Sequence, residues 1–243
     1  MNFNLDFLRF RFIALIASVS FILVSLATIS IQQLQLGLDF TGGTLVEVGF
    51  TETVDPEEIR TYLEGKQIDA LVQAFGSDKD LLIKIPSSEN IENANIVIDS
   101  LQQQYSFQLR RSGFVGPQVG GELRDQGGLG LLAALLVMMI YIMFRFQYKF
   151  AIGAVVALFH DVLIVLGIFS IIRLEFDLSV LAALMAVIGY SLNDTIVVSD
   201  RIRENFRAKR KLNSEQVINR SLNNTLGRTL ITSLTTLLVL FSL

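Results

Sequence analysis

Phe12–Ile31 runs for twenty residues without a charge. A helix needs about 20 mostly apolar residues to cross a bilayer, so this stretch removes most water-soluble folds from consideration. Four more apolar blocks follow, at Gly127–Phe144, Phe150–Ile172, Leu178–Ser199 and from near Leu222 to Leu243. Hydrophobic residues make up 51% of the 243-residue chain. Their concentration in blocks points to an integral membrane protein with five spans rather than one large soluble core. Arg9 and Arg11 precede the first block, as basic residues precede a signal peptide, and Ser25-Leu26-Ala27 has the small-x-small form of a cleavage site. The run is longer than a signal core and further spans follow, so the expectation is an uncleaved first span.

Residues 36–125 form the one substantial polar segment, and its pattern predicts elements in sequence. Thr44–Phe50 reads as a strand. Asp55-Pro56-Glu57-Glu58 reads as a helix start, with Asp at the N-cap, Pro at N1 and Glu at N3. That helix runs to about Glu64. Ala70–Phe75 is a second strand, Gly76–Asp80 a turn and Leu81–Ile85 a third strand. A helix from about Glu89 to Gln104 and a strand over Tyr105–Arg111 complete the segment. The order β-α-β-β-α-β is that of the ferredoxin-like unit, a fold that hosts many functions and names none. The expected architecture is a membrane helical bundle with an α+β ferredoxin-like domain between spans one and two. The expected limits are 1–34 for the first span, 35–125 for the folded domain and 126–199 for spans two to four. A basic loop at 200–221 and the opening of span five at 222–243 complete the division.

Charge is distributed unevenly. Arg9, Arg11, Arg145 and Lys149 fall on one side of the spans, together with a loop holding Arg201, Arg203, Arg207, Lys209, Arg210, Lys211 and Arg220. In the folded segment acidic residues outnumber basic ones fifteen to seven. By the positive-inside rule the N-terminus and basic loop are cytoplasmic and residues 35–125 lie outside. The chain has no cysteine, hence no disulfide and no thiolate metal site.

Gly128-Leu129-Gly130-Leu131-Leu132-Ala133 matches a G-x-G-x-x-A nucleotide fingerprint by letter. No strand precedes it and it opens an apolar block, so close helix packing is the better reading. There is no phosphate-binding loop and no zinc-protease helix pair, and no metal or cofactor is expected. The basic loop lacks aromatic interleaving beyond Phe206, so topology explains it and nucleic acid is not an expected partner.

The polar residues within the spans carry the chemistry. Asn193 and Asp194 interrupt Leu178–Asn205, and a carboxylate inside a membrane helix needs a partner, a proton or water. At ~1.5 Å per residue, Asp194 sits about 9 Å from Asp200, where the chain leaves the membrane. Arg228 in the antiparallel fifth block lies about 12 Å past Arg220, so the two charges are at similar depth and could pair. His160 and Asp161 lie about 16–18 Å past Lys149, near mid-membrane. The functional reading is a proton path in which Asp194 alternately holds a proton or pairs with Arg228. The bland reading is a static buried ion pair with a satisfied histidine, helix glue only. Gly153, Ala157, Ala182, Ala186 and Gly189 are read as sites of close helix approach.

Four motifs carry a family resemblance. Gly37-Leu38-Asp39-Phe40-Thr41-Gly42-Gly43-Thr44 after span one resembles the opening signature of the external domain in the SecD/SecF family. Phe114-Val115-Gly116-Pro117 resembles the motif that closes it. Val187–Asp194 with Ser199–Asn205 is similar to the fourth-span signature of the SecF branch, and Thr225–Ser233 to the start of its fifth span. The resemblance implies a non-enzymatic subunit of a protein translocase accessory complex in the RND superfamily, in the cytoplasmic membrane. It implies SecD and the SecYEG channel as partners, with YajC and YidC as further neighbours, and contact with membrane lipid and a translocating preprotein. It also implies that protons move at Asp194 and Arg228, so that the proton motive force promotes export. The alternative is a non-conducting subunit that stabilises SecD and the channel. An RND exporter of lipids or drugs fits less well, since such pumps carry larger external domains. The family has six spans per subunit, so the resemblance implies a sixth that this sequence does not include.

Overall fold

A computed structural model describes residues 5–86, 92–145, 148–208 and 212–242. It divides into two compact units, one of residues 1–35 with 130–243 and one of Leu36–Leu129.

The second unit is built on four antiparallel strands. Gly43–Phe50 (β1) is followed by the helix Pro56–Gly65, then Leu71–Phe75 (β2), Ser77–Pro86 (β3), the helix Glu92–Gln102 and Phe107–Val115 (β4). The sheet order is β2-β3-β1-β4. The helix at Pro56 starts as its residues dictate: Asp55 is extended, and its carboxylate accepts from the Glu57 N–H at 2.9 Å with Pro56 at N1. Glu58 does not turn back to complete a capping box. Its carboxylate instead accepts from the Tyr105 hydroxyl at 2.9 Å. One face of the sheet is dry: Val46, Val48, Leu81 and Ile83 are fully buried against Ile59, Leu63, Val97 and Leu101 of the two helices. At about 25 cal/mol per Å² of apolar surface removed from water, this cluster is the main stabilising term of the unit.

Two strands run longer than their residue types suggest. β3 begins at Ser77 rather than Leu81, because Gly76 at φ 78° turns the chain within one residue and Asp80 pairs with Gly49. Lys79 caps this extension by donating to the Thr51 carbonyl at 2.9 Å. β4 continues to Val115, which pairs with Gly43. The expected start of the second helix, Glu89, lies outside the described residues.

The other unit is helical. Arg11–Gln32 (α1), Tyr148–Ile172 (α2), Leu178–Ala208 (α3) and Ser214–Ser242 (α4) belong to it, and the helix Pro117–Arg145 (α5) enters it from the neighbouring unit. Among the described residues, four helices are long and apolar enough to cross a membrane: Phe7–Gln32, Pro117–Arg145, Phe150–Ile172 and Leu178–Ala208. Large apolar side chains such as Phe12, Ile16, Leu132, Val137, Ile152 and Val156 stand exposed along them. That surface needs hydrocarbon around it, and the chain is a multi-pass membrane protein.

Caps set the helix starts. Asp177 accepts from the Val180 N–H at 2.9 Å to open α3. Asn213 and Gln216 satisfy each other's backbone N–H groups, a capping box that opens α4 eight residues before the expected block at Leu222. α5 likewise begins at Pro117, ten residues before the apolar block. Within this unit α1 packs on α2, α2 on α3, and α3 on α4. The glycine expectation is corrected here. A Cβ added at Gly153, Gly189, Gly128 or Gly130 would meet nothing within 4 Å, whereas one at Gly167 would collide with Ser25, its Cα at 2.7 Å. Gly167, rather than Gly153 or Gly189, is the glycine that lets α1 and α2 approach closely.

Candidate functional site

The two motifs flanking the folded domain meet in space. Leu38–Thr41 is a single helical turn started by Gly37, whose carbonyl accepts from the Phe40 and Thr41 N–H groups at 3.0 and 3.1 Å. Phe40 is buried. Gly42 then takes φ 74° and Gly43 φ 145°, conformations that L side chains rarely adopt. A Cβ at Gly42 would lie 2.7 Å from the Pro117 Cα and 3.1 Å from the Val115 carbonyl. One at Gly120 would lie 2.8 Å from the Gly42 amide nitrogen. The Gly37–Thr44 turn is therefore seated on the Phe114–Pro117 segment, and the glycines are there because backbone lies against backbone. Pro117 opens α5, where its missing N–H costs nothing.

The polar residues singled out within the apolar blocks gather on α2, α3 and α4. α3 and α4 enclose a cleft of about 590 Å³. From α3 it is lined by Tyr190, Ser191, Asp194, Thr195 and Ser199, and from α4 by Thr232, Ser233 and Thr236, with Val187, Val198 and Leu237 closing it. Ser191, Thr195 and Ser199 recur at i, i+4 and i+8, so one face of α3 presents a hydroxyl stripe with Asp194 beside it. Asp194 Oδ1 is buried and has no hydrogen-bond partner. A carboxylate oxygen out of contact with water and unpaired is costly, and the cleft beside it is where water or a proton can offset that cost.

Arg228 stands across the α3–α4 contact from Asp194. No hydrogen bond or ion pair joins them; the ion pairs of this unit include Arg11–Glu215, His160–Asp161 and Arg201–Glu204. Arg228 is exposed, and Thr232, one turn on, returns its hydroxyl to the Arg228 carbonyl at 3.0 Å. Asn193 also lies exposed, on a different face from the cleft lining. His160 and Asp161 are brought together, His160 Nδ1 lying 2.9 Å from Asp161 Oδ1. Asp161 Oδ2 accepts from the Ser191 hydroxyl of α3 at 2.6 Å. Ser191, which the sequence reading did not single out, thus bonds one predicted residue, Asp161, and lines the cleft that another, Asp194, also lines. The cleft hydroxyls were missed too. Their i, i+4 spacing was a signal, but serine and threonine are common in membrane helices and do not mark a site alone.

Below the cleft the α3–α4 pair is fastened by a second polar contact. Asn205 and Ser221 are both buried, and Asn205 Nδ2 donates to Ser221 Oγ at 2.8 Å. Asn205 closes the Ser199–Asn205 motif. The Lys209–Lys211 part of the basic loop lies outside the described residues.

The profile of protein export membrane protein SecD/SecF, C-terminal, matches residues 96–243, and that of the SecD/SecF GG motif matches residues 28–54. Protein translocase subunit SecF of Vibrio alginolyticus is 45% identical over 246 residues, which cover 99% of this chain and 78% of that protein. The Pseudomonas aeruginosa subunit SecF is 45% identical, covering 99% of this chain and 79% of that one. Among solved structures, SecDF of Thermus thermophilus, a translocon-associated membrane protein, superposes with a TM-score of 0.86 at 33% identity. The match covers 98% of this chain and 33% of SecDF, so the chain spans about a third of that protein.

Proposed function

The chain belongs to the SecD/SecF family of protein export membrane proteins, and we propose that it couples proton movement to protein export as the SecF-type half of an accessory complex of the Sec translocase. Its partner is a SecD-type subunit, and the complex works beside the SecYEG channel, with YajC and YidC as neighbours, on an emerging preprotein. The chain is not an enzyme. The N-terminus and the 201–220 loop face the cytoplasm, because their lysines and arginines resist crossing the inner membrane. Residues 35–125 face outward as a ferredoxin-like domain, a reading supported by the β-α-β-β-α-β order and the β2-β3-β1-β4 sheet. α4 is the fifth span.

The observation that carries the proposal is the buried, unpartnered Asp194 carboxylate oxygen beside the cleft between α3 and α4 that Asp194 and several hydroxyls help to line. A helix-gluing aspartate would be expected to hold a hydrogen bond across the contact. An aspartate that exchanges a proton needs a wet cleft, a nearby cation and freedom from a fixed partner. In this arrangement Arg228 stands on the facing helix without being locked to Asp194 by an ion pair. Protonation of Asp194 removes its charge, and the α3–α4 contact is the element whose arrangement the two states bias. One proton crossing 100 mV supplies about 2.3 kcal/mol, enough to bias a two-state element roughly 50-fold.

The test is gradient-dependent completion of preprotein export in vesicles carrying Asp194→Asn in the full-length subunit with its partner. Loss of the gradient effect in a normally assembled complex supports the proposal. Loss of assembly with export per complex preserved supports a structural subunit instead.

A further inference from the structure

The geometry points to Ser191 as a positioning residue that links the His160–Asp161 pair to the Asp194 cleft, making the pair a second protonatable station of the same path. The inference rests on the proton-coupling reading of Asp194. Ser191 belongs to two environments. Its hydroxyl donates to Asp161 Oδ2 at 2.6 Å, and the same residue lines the cleft one turn from Asp194. A serine hydroxyl has one proton to give and two lone pairs to receive with. While its proton is committed to Asp161, its lone pairs remain for water in the cleft.

Within the chain the pair makes few other polar contacts. His160 Nδ1 is taken by Asp161 Oδ1 at 2.9 Å, and His160 Nε2 is buried without a partner. Among the described residues, Ser191 supplies the pair's one side-chain hydrogen bond to another helix. α1, which packs along α2, carries no ionisable side chain from Phe12 to Gln32. α3 brings Tyr190 and Asp194 beside Ser191, and Arg228 follows on α4. A proton passed from cleft water to the serine oxygen, with the serine proton moving to Asp161, transfers one proton and leaves the hydroxyl intact. Rotation of the hydroxyl resets it. The geometry therefore gives Asp161 a route to the cleft that does not pass through bulk water.

His160 is the chain's one histidine, so a ¹⁵N-histidine label reports on this site alone. The labelled full-length subunit, reconstituted with unlabelled partner, is compared as wild type, Ser191→Ala and Ser191→Thr. Gradient-driven proton uptake by the same vesicles is followed in parallel, with Asp194→Asn as control. Ser191→Ala is expected to shift the His160 ring ¹⁵N signals, because the Asp161 carboxylate that holds His160 Nδ1 loses a charge-assisted hydrogen bond. It is also expected to slow proton uptake about tenfold, a barrier change of about 1.4 kcal/mol. Ser191→Thr, which keeps the hydroxyl, restores both. Unmoved His160 signals in Ser191→Ala overturn the inference, and so do shifted signals with unchanged uptake. Uptake unaffected by Asp194→Asn overturns the proton reading itself, a separate result.

Discussion

Asn205 and Ser221 face each other in the dry seam between α3 and α4, joined by a 2.8 Å hydrogen bond although sixteen residues apart. Ser221 donates its own proton to the Val217 carbonyl at 2.7 Å, so its hydroxyl both donates and accepts without water. Asn205→Ala leaves a buried hydroxyl short of a donor and a gap where the amide was. The expected cost is about 1–3 kcal/mol. It is read as a lower thermal midpoint of the detergent-solubilised full-length subunit, with Phe206→Ala, on the exposed neighbour, as the control that changes little.

Gly42 tests a different kind of constraint. Its φ of 74° and its 2.7 Å clearance to the Pro117 Cα mean that alanine there is strained and also collides with backbone that cannot step aside. Gly76 has a similar φ of 78° with nothing within 4 Å. Gly42→Ala should therefore destabilise residues 36–129 by clearly more than Gly76→Ala, whose cost is strain alone at about 1–2 kcal/mol. Protease resistance of this segment in the full chain separates them. Equal effects would mean that the motif glycine is chosen for conformation and not for the contact.

Tyr105 offers a pH signature. Burial, with a hydrogen bond to Glu58 and that carboxylate's charge, raises its pKa from 10.0 to about 12. A group whose pKa is raised on folding contributes stability that is complete below its unfolded pKa and is lost as pH rises through the folded one. The folded domain should therefore lose stability between pH 10 and about 12. Tyr105→Phe should remove that part of the alkaline decline while lowering stability at neutral pH. Absorbance titration of tyrosinate alongside thermal unfolding measures both.

What the sequence could reveal follows from the range of the forces involved. Bilayer-length apolar runs are local, and so is the Asp55-Pro56 helix start, so these elements are readable residue by residue. The turn at Gly76–Asp80 misled because Ser-Asp-Lys-Asp is turn-like in composition. Pairing with Gly49 across the sheet, a non-local contact, makes it strand. Gly167 went unnoticed because nothing in its own helix shows that Ser25 will lie against it. At the site, Asp194 and Asp161 stood out because charge in an apolar run is costly wherever it packs. Ser191 and the Thr232–Thr236 hydroxyls did not, since their importance comes from which helix faces meet.

The central claim is that Asp194 works by changing its proton and not by holding helices together. The most direct measurement is proton uptake driven by an imposed gradient in vesicles containing the assembled full-length complex, comparing wild type with Asp194→Asn at equal complex content. Asparagine keeps the size of the side chain and can still hydrogen-bond, while removing its charge and its titration. The account predicts that uptake and gradient-dependent export both fall to background while the amount of complex is unchanged. Wild-type uptake and export from the Asp194→Asn complex would contradict it.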